Sequence, residues 1–278
     1  MGDGLQKITS KMYKNKSLFS VYLKAISVYS RLEYRYLARY YKPIKVINMD
    51  WDYLIVLDAC RFDFLSRILN RNCFSSIYAG LSVASNTREW LLKNFDSYFK
   101  DVVYVSANPY ISNVEYKGFN GSKHFYRVEP IWSYGWNEAL GTVHPRTVYE
   151  VTLRLVKKYP QHRFIIHFIQ PHSPYIGRKG SAIKEFIRKK VGNTKYKEEY
   201  IHKLIDFVWE GKIDIYDIID AYIENLQIVM DYVYRLIDNL YGKVVITSDH
   251  GEAFGEKGVF FHPPGIYKRT RAYTLDYS

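Results

Sequence analysis

Two cysteines, Cys60 and Cys73, are all that this chain of 278 residues contains. They are too few for a disulfide framework, and neither lies in the paired Cys/His spacing of a structural zinc site. The chain is therefore expected to hold together by its core in a reducing, cytoplasmic interior. Long apolar runs are missing too: no uninterrupted stretch reaches the roughly 18 to 20 residues that span a bilayer, and no amino-terminal apolar segment leads to a small-residue cleavage site. A soluble or membrane-peripheral protein is expected. Acidic residues are in deficit, 28 Asp and Glu against 40 Lys and Arg, for a formal charge of +12. That balance suits phosphorylated or sulfated partners, an anionic membrane surface, or nucleic acid. The 28 Tyr and 15 Phe are scattered and form no RNA-binding motif, so nucleic acid is the least favoured of these. Internal repeats and low-complexity linkers are also absent.

With 47% hydrophobic residues the chain can bury one large core, and an α/β domain with appendages is expected. Residues 1 to about 46 carry ten Lys or Arg against Asp3 and Glu33. Leu18, Tyr22, Ile26, Tyr29, Leu32 and Tyr36 recur among them at helical spacing, which predicts one or two basic amphipathic helices before Pro43. Residues 1–48 are accordingly read as a helical extension and 49–278 as the α/β domain. Such a helix either packs on the domain with its lysines in water or lies on an anionic membrane, where each near-surface cation contributes about 1 kcal/mol.

Chemistry concentrates where apolar runs end. Val244, Val245 and Ile246 read as a strand buried on both faces. Asp249 and His250 follow, an oxygen and a nitrogen ligand side by side, and Gly251 lets the backbone turn away. Tyr53 to Leu57 form a second such strand, ending at Asp58; a carboxylate at a buried strand tip is costly unless it is paired or holds a cation. Arg163 to Phe168 form a third, with His167 inside it read as a satisfied core histidine, and Pro171-His172-Ser-Pro-Tyr175 beyond it. There the prolines hold His172 where an imidazole can bind metal, bind an anionic oxygen or protonate a leaving group. Ser85, Asn86 and Thr87 precede a helix, and a hydroxyl at a helix amino terminus meets free N–H donors and a positive dipole.

Other stretches carry less. Val102 to Val105 read as a strand, residues 110–143 as a long loop, with Trp132, Trp136 and the adjoining His144 available to substrate or to local packing, and 178–212 as a basic, mobile insertion beside the active site or a solvated helical face. A helix from about Ile215 to Leu240 should cover the sheet, and the stretch after residue 269 is enough for one closing strand.

The run from Thr247 to Gly258, followed by His262 and Pro263, resembles the carboxyl-terminal metal motif of the sulfatase-like branch of the alkaline phosphatase superfamily, which includes sulfatases and phosphoglycerol transferases. Asp58-x-x-Arg61-x-Asp63 is similar to the first motif of that branch, and Pro171-His172-x-Pro174-Tyr175 to a later one. The resemblance implies a doubly wound, mainly parallel α/β sheet with helices on both faces. It implies a divalent cation on Asp58, Asp249 and His250 that also engages Thr87, which attacks phosphorus or sulfur to give a covalent ester. His172 and His262 then stabilise or protonate the transferring group. Ser85 is the reserve nucleophile. Mixed nitrogen and oxygen donors suit zinc or manganese. One metal site is expected: Ala59 stands where sulfatases carry a second Asp, and Gln170 roughly where two-metal relatives carry an acid. Cys60 lacks the Cys-x-Pro-x-Arg setting of a sulfatase nucleophile. The reading is a metal-dependent hydrolase of phosphate or sulfate esters, with two alternatives: a phosphoglycerol- or phosphoethanolamine-type transferase acting on a lipid or glycan at a membrane, or a non-catalytic anion binder.

Overall fold

The computed structural model describes residues 15–192, 197–262 and 271–277. Pro263 and the first lysines of the amino-terminal extension lie outside the described residues.

In chain order the elements are helix α1 (Lys16–Leu37), strands β1 (Pro43–Ile44) and β2 (Tyr53–Leu57), helix α2 (Phe62–Ile68), β3 (Ser76–Ser82), α3 (Thr87–Asn94), β4 (Phe99–Ser106), β5 (Phe125–Pro130), β6 (Trp136–Asn137), β7 (Thr142–Val143), α4 (Pro145–Lys158), β8 (Arg163–Phe168), α5 (Arg178–Val191), α6 (Lys197–Trp209), α7 (Ile215–Ile237), β9 (Val244–Thr247) and β10 (Arg271–Tyr277).

Alternation along the central strands divides the core in two. Tyr53, Ile55 and Leu57 of β2 enter one cluster and Leu54 and Val56 the other; Phe164, Ile166 and Phe168 of β8 oppose Ile165 in the same way, as Val244 and Ile246 of β9 oppose Val245. A strand apolar on both sides needs cover on both sides. Leu65 of α2, Val148 and Leu155 of α4, and Leu226, Val229 and Val233 of α7 cover one face, while Trp90 and Leu91 of α3 cover the other. Fully burying each such side chain is worth roughly 1.5–3 kcal/mol. The eight-stranded sheet runs β1-β3-β10-β9-β2-β8-β4-β5. Only β10 is antiparallel to its neighbours, β3 and β9. The chain thus adopts the expected α/β architecture, a mainly parallel sheet with helices on both faces and a closing strand after residue 269.

Two expectations change, and of the two readings of 178–212 the solvated helical face holds. Residues 110–143 are not one long loop, because Phe125 to Pro130 form an edge strand parallel to β4. Only Phe125 and Val128 of that strand are buried, too short a signal to read as alternation. Residues in 178–212 form α5 and α6, which bury Ile183, Ile187, Tyr200, Leu204 and Phe207 against Tyr222 of α7 and Phe254. Their basic residues occupy the opposite faces, as where exposed Arg188 pairs with Glu185 at 2.8 Å. The boundary at residue 48 also falls inside the domain, since Pro43 and Ile44 pair with β3 and Val46 is buried in the core.

The amino-terminal extension is a single helix within the described residues. Its inner face sets Leu23 and Ile26 against Ala253 and Val259. The Tyr22 hydroxyl donates to the Lys257 carbonyl at 2.6 Å, and that of Tyr34 to the Ser82 carbonyl at 3.1 Å. Leu18, Val21, Val28, Leu32 and Tyr36 are exposed. Among the described residues no helix is long and apolar enough to cross a membrane.

Candidate active site

Strands β9, β2, β8 and β4 are neighbours, so the segments leaving their carboxyl ends converge. Asp58 follows β2 directly, Asp249 and His250 follow β9, His172 follows β8 and Asn108 follows β4. Thr87 opens α3, whose N-cap is Asn86; the Asn86 side chain accepts from the Glu89 N–H at 2.9 Å. The Ser85 N–H and hydroxyl donate to Glu89 Oε2 at 3.2 and 3.3 Å.

The Thr87 hydroxyl donates to Asp249 Oδ2 at 2.8 Å and lies 3.4 Å from His250 Nε2. His250 Nε2 is also 3.4 Å from Asp58 Oδ1 and 3.4 Å from Asp249 Oδ2. Asp249 Oδ1 is fixed from behind by the Ala59 and His250 N–H groups at 3.1 and 2.8 Å. Ala59 manages this in the left-handed region, at φ 56°, a local strain of the kind that tightly built sites tolerate. Asn108 Nδ2 donates to Asp58 Oδ2 at 2.5 Å. Asp58, Asp249, His250 and Thr87 are all buried.

Burying two facing carboxylates is unfavourable unless positive charge joins them. The titration behaviour records that conflict. Burial and the Asp58 charge both push Asp249 up. Burial would raise Asp58 as well, but His172, His250 and His167 together hold it far below the carboxylate range. Burial would lower His250, yet the two aspartates carry it up to about 10. The protonated imidazole thus stands in for a cation. Asp58 Oδ1 has no hydrogen-bond partner. Donors about 2.0–2.2 Å from a shared ion lie a little over 3 Å apart in a tetrahedral arrangement, close to the 3.4 Å separations here. Asp58, Asp249, His250 and Thr87 therefore fit a divalent cation.

Beside this set lies a second. Ala253 and Phe261 exchange backbone hydrogen bonds at 2.9 and 2.8 Å, and the hairpin they close brings His262 back to Glu252. His262 Nδ1 is 3.2 Å from Glu252 Oε1, and its ring centroid is 4.9 Å from that of His172 and 4.4 Å from that of His250. Burial would raise Glu252, but His262, His172 and His250 pull it down. Helix α1 braces this hairpin through Tyr22, Leu23 and Ile26. A cavity of about 470 Å³ opens over Asp58, Thr87, Asn108, His172 and His262, and Tyr110, Tyr116, Lys117, Ile201, Ile205 and Phe260 also line it.

The structure brings Asp58, Thr87, His172, Asp249, His250 and His262 to one place. It does not bring the other loop residues there: Trp132 Nε1 donates to the Ile111 carbonyl at 2.9 Å, Trp136 packs on the core, and His144 caps α4 by accepting from Arg146 N–H at 3.1 Å. Cys60 is buried, and burial pushes its thiol well up. Gln170 Nε2 is spent on the Val143 carbonyl at 3.1 Å. Two site residues emerge only from the structure. Glu252 sits in the Asp249-His-Gly-Glu252 run and could have been noticed as an acid near the ligands; Asn108 had only its place at a strand end.

No family model matches the sequence, and no curated protein matches it. Solved structures do. The soluble domain of lipooligosaccharide phosphoethanolamine transferase A from Neisseria meningitidis aligns over 81% of this chain and 75% of that one, with a TM-score of 0.53 at 14% identity. The C-terminal periplasmic domain of EptC from Escherichia coli, in complex with Zn, aligns over 81% and 72%, with 0.50 at 12%. This chain has the fold of these domains. The integral membrane form of the Neisseria meningitidis enzyme aligns over 81% of this chain with a TM-score of 0.51 at 15% identity, and this chain covers only 47% of its length.

The electrostatics give a signed expectation. His250 has a folded-state value near 10 against 6.5 ordinarily, so in metal-free protein its contribution to stability is full below about pH 6.5 and lost as pH rises towards 10. Thermal denaturation in chelator should show Tm falling across that window, with the decline reduced in His250→Gln and flattened by added cation. A wild-type Tm that holds or rises from pH 6.5 to 10 in chelator contradicts this.

Proposed function

We propose that this chain transfers a phosphoester-linked group from an anionic donor to an acceptor hydroxyl through a covalent intermediate on Thr87, rather than hydrolysing the ester. The observation that carries the reading is the Thr87 hydroxyl, buried at the amino terminus of α3 and donating to Asp249 Oδ2 at 2.8 Å within the cavity that His172 and His262 line. Asp58, Asp249 and His250 would hold a zinc or manganese ion with Thr87. That ion would favour the ionised hydroxyl and offset charge developing on the phosphoryl oxygens.

Asp249 Oδ2, which accepts the Thr87 hydroxyl at 2.8 Å, takes that proton as the Thr87 oxygen attacks phosphorus. The Thr87 O–P bond forms as the donor's P–O bond breaks, and His172 or His262 supplies the proton that the departing oxygen takes up. In the second half the acceptor hydroxyl gives its proton back to that histidine and attacks phosphorus, the Thr87 O–P bond breaks, and the Thr87 oxygen recovers its proton from Asp249 Oδ2. Glu252 keeps His262 oriented for both halves.

Transfer is favoured over hydrolysis because the Neisseria meningitidis domain with this fold is named a lipooligosaccharide phosphoethanolamine transferase. Ile201, Ile205 and Phe260 in the cavity lining suit a donor with an apolar portion. The exposed apolar residues of α1, with Lys24, Arg31 and Arg35 on the same helix, suit an anionic membrane surface as the place of work. Product analysis decides between the readings. With phosphatidylethanolamine or phosphatidylglycerol in anionic vesicles and a lipid or glycan acceptor, the headgroup phosphate should appear on the acceptor; release only to water at an equal rate without acceptor restores the hydrolase reading.

A further inference from the structure

His167 is read from the sequence as a core histidine with its needs met. The structure shows otherwise. The side chain is wholly buried, and its Nδ1 is 2.9 Å from the Tyr104 hydroxyl. Its Nε2 has no hydrogen-bond partner. That nitrogen lies 4.0 Å from Asp58 Oδ2 and 3.9 Å from Asp249 Oδ2. An imidazole nitrogen buried without a partner is unfavourable, so its orientation between two carboxylates calls for a reason.

Chain geometry supplies one. His167 shares the sheet face of Ile165, the face covered by α3 with Thr87 at its start. In the strand register it stands opposite Val56, two residues before Asp58. The imidazole therefore lies directly beneath the Asp58 and Asp249 carboxylates, on the side away from the cavity. The Trp90 ring, 6.1 Å away centroid to centroid, and the Tyr104 hydroxyl leave it little room to turn.

We propose that His167 is a further protein ligand of the divalent cation, binding through Nε2 from below while His250 binds beside it, so that the centre carries two imidazoles. The inference rests on the cation of the proposed function. Two donors about 2.0–2.2 Å from one ion can be no more than about 4.4 Å apart. The 3.9 and 4.0 Å separations fit an ion between His167 and the carboxylates at wide angles, and the 3.4 Å separations of His250 fit narrower ones. Ligating histidines are usually fixed through their other nitrogen by an outer partner. Tyr104 is that partner: with Nδ1–H donating to its hydroxyl oxygen, the Nε2 lone pair is left for the ion.

X-ray absorption on protein loaded with one equivalent of zinc counts the imidazoles, and chelator competition gives the affinity. The count is made in wild type and in His262→Gln, where the neighbouring His172 and Glu252 retain only one imidazole between them. Two imidazoles are expected in both. His167→Gln should lose one of them and bind zinc 10- to 100-fold more weakly, and Tyr104→Phe should keep both with a smaller loss of affinity. A single imidazole in His262→Gln overturns the proposal, even if His167→Gln does not fold. An unchanged count and affinity in folded His167→Gln overturns it as well, while the cation of the proposed function stands. Wild type that takes up no zinc or manganese overturns both.

Discussion

Thr87→Ala is expected to lower phosphoester transfer by three or more orders of magnitude while leaving fold and metal content close to wild type. Each tenfold loss corresponds to about 1.4 kcal/mol of transition-state stabilisation, so the claim assigns Thr87 at least about 4 kcal/mol. The substitution removes one hydroxyl and one methyl group from the first position of α3. The helix keeps its cap, because Asn86 rather than Thr87 accepts from the Glu89 N–H. Asp249 keeps its bonds from the Ala59 and His250 N–H groups, so the cation's carboxylate stays in place. The attacking oxygen is lost while the carboxylates and imidazole of the cation site stay. Ser85→Ala should be much milder, since the Ser85 hydroxyl is engaged with Glu89. Rates for both variants against wild type check this, and near-normal turnover by Thr87→Ala with collapse of Ser85→Ala would move the nucleophile.

Asp249→Asn is expected to act in opposite directions on the metal-free and metal-bound protein. The fold raises the Asp249 carboxyl through burial and the Asp58 charge, so its ionised form works against folding above the ordinary aspartate range. An uncharged amide of the same shape keeps an oxygen for the Ala59 and His250 N–H groups and relieves the repulsion. In chelator at neutral pH the variant should therefore melt above wild type. With zinc or manganese the order should reverse, because the variant lacks an anionic donor and should bind metal at least about a hundredfold more weakly. Melting curves with and without metal, alongside chelator competition, test both signs. Wild-type metal affinity in Asp249→Asn would remove Asp249 from the ligand set.

How much of this was legible in the sequence depends on what each residue's neighbours reveal. Asp58 and Asp249 stand out because each follows a β-branched apolar run, and a carboxylate at such a buried tip is costly unless positive charge meets it. His172 stands out through its flanking prolines. His167 does not, because nothing in Arg163 to Phe168 shows that the ends of β2 and β9 place two carboxylates beside its ring. Asn108 is hidden for the same reason: its bond to Asp58 crosses 50 residues of chain. Glu252 becomes interpretable only when the hairpin through Phe261 returns His262 to it. In the fold, the strands buried on both faces were readable, whereas edge strand β5 was not, since its second face meets solvent. The helices α5 and α6 were obscured by their lysines and arginines, which mask the apolar stripe that packs on α7.

The most direct measurement is the mass of the enzyme itself, taken by rapid acid quench during turnover of a phosphatidylethanolamine or phosphatidylglycerol donor. The account expects an increment equal to the transferred headgroup phosphate, mapped by peptide analysis to Thr87, absent from Thr87→Ala and discharged when acceptor is added. An enzyme that turns over the donor with no adduct at any time, or an adduct that persists in Thr87→Ala, would contradict it.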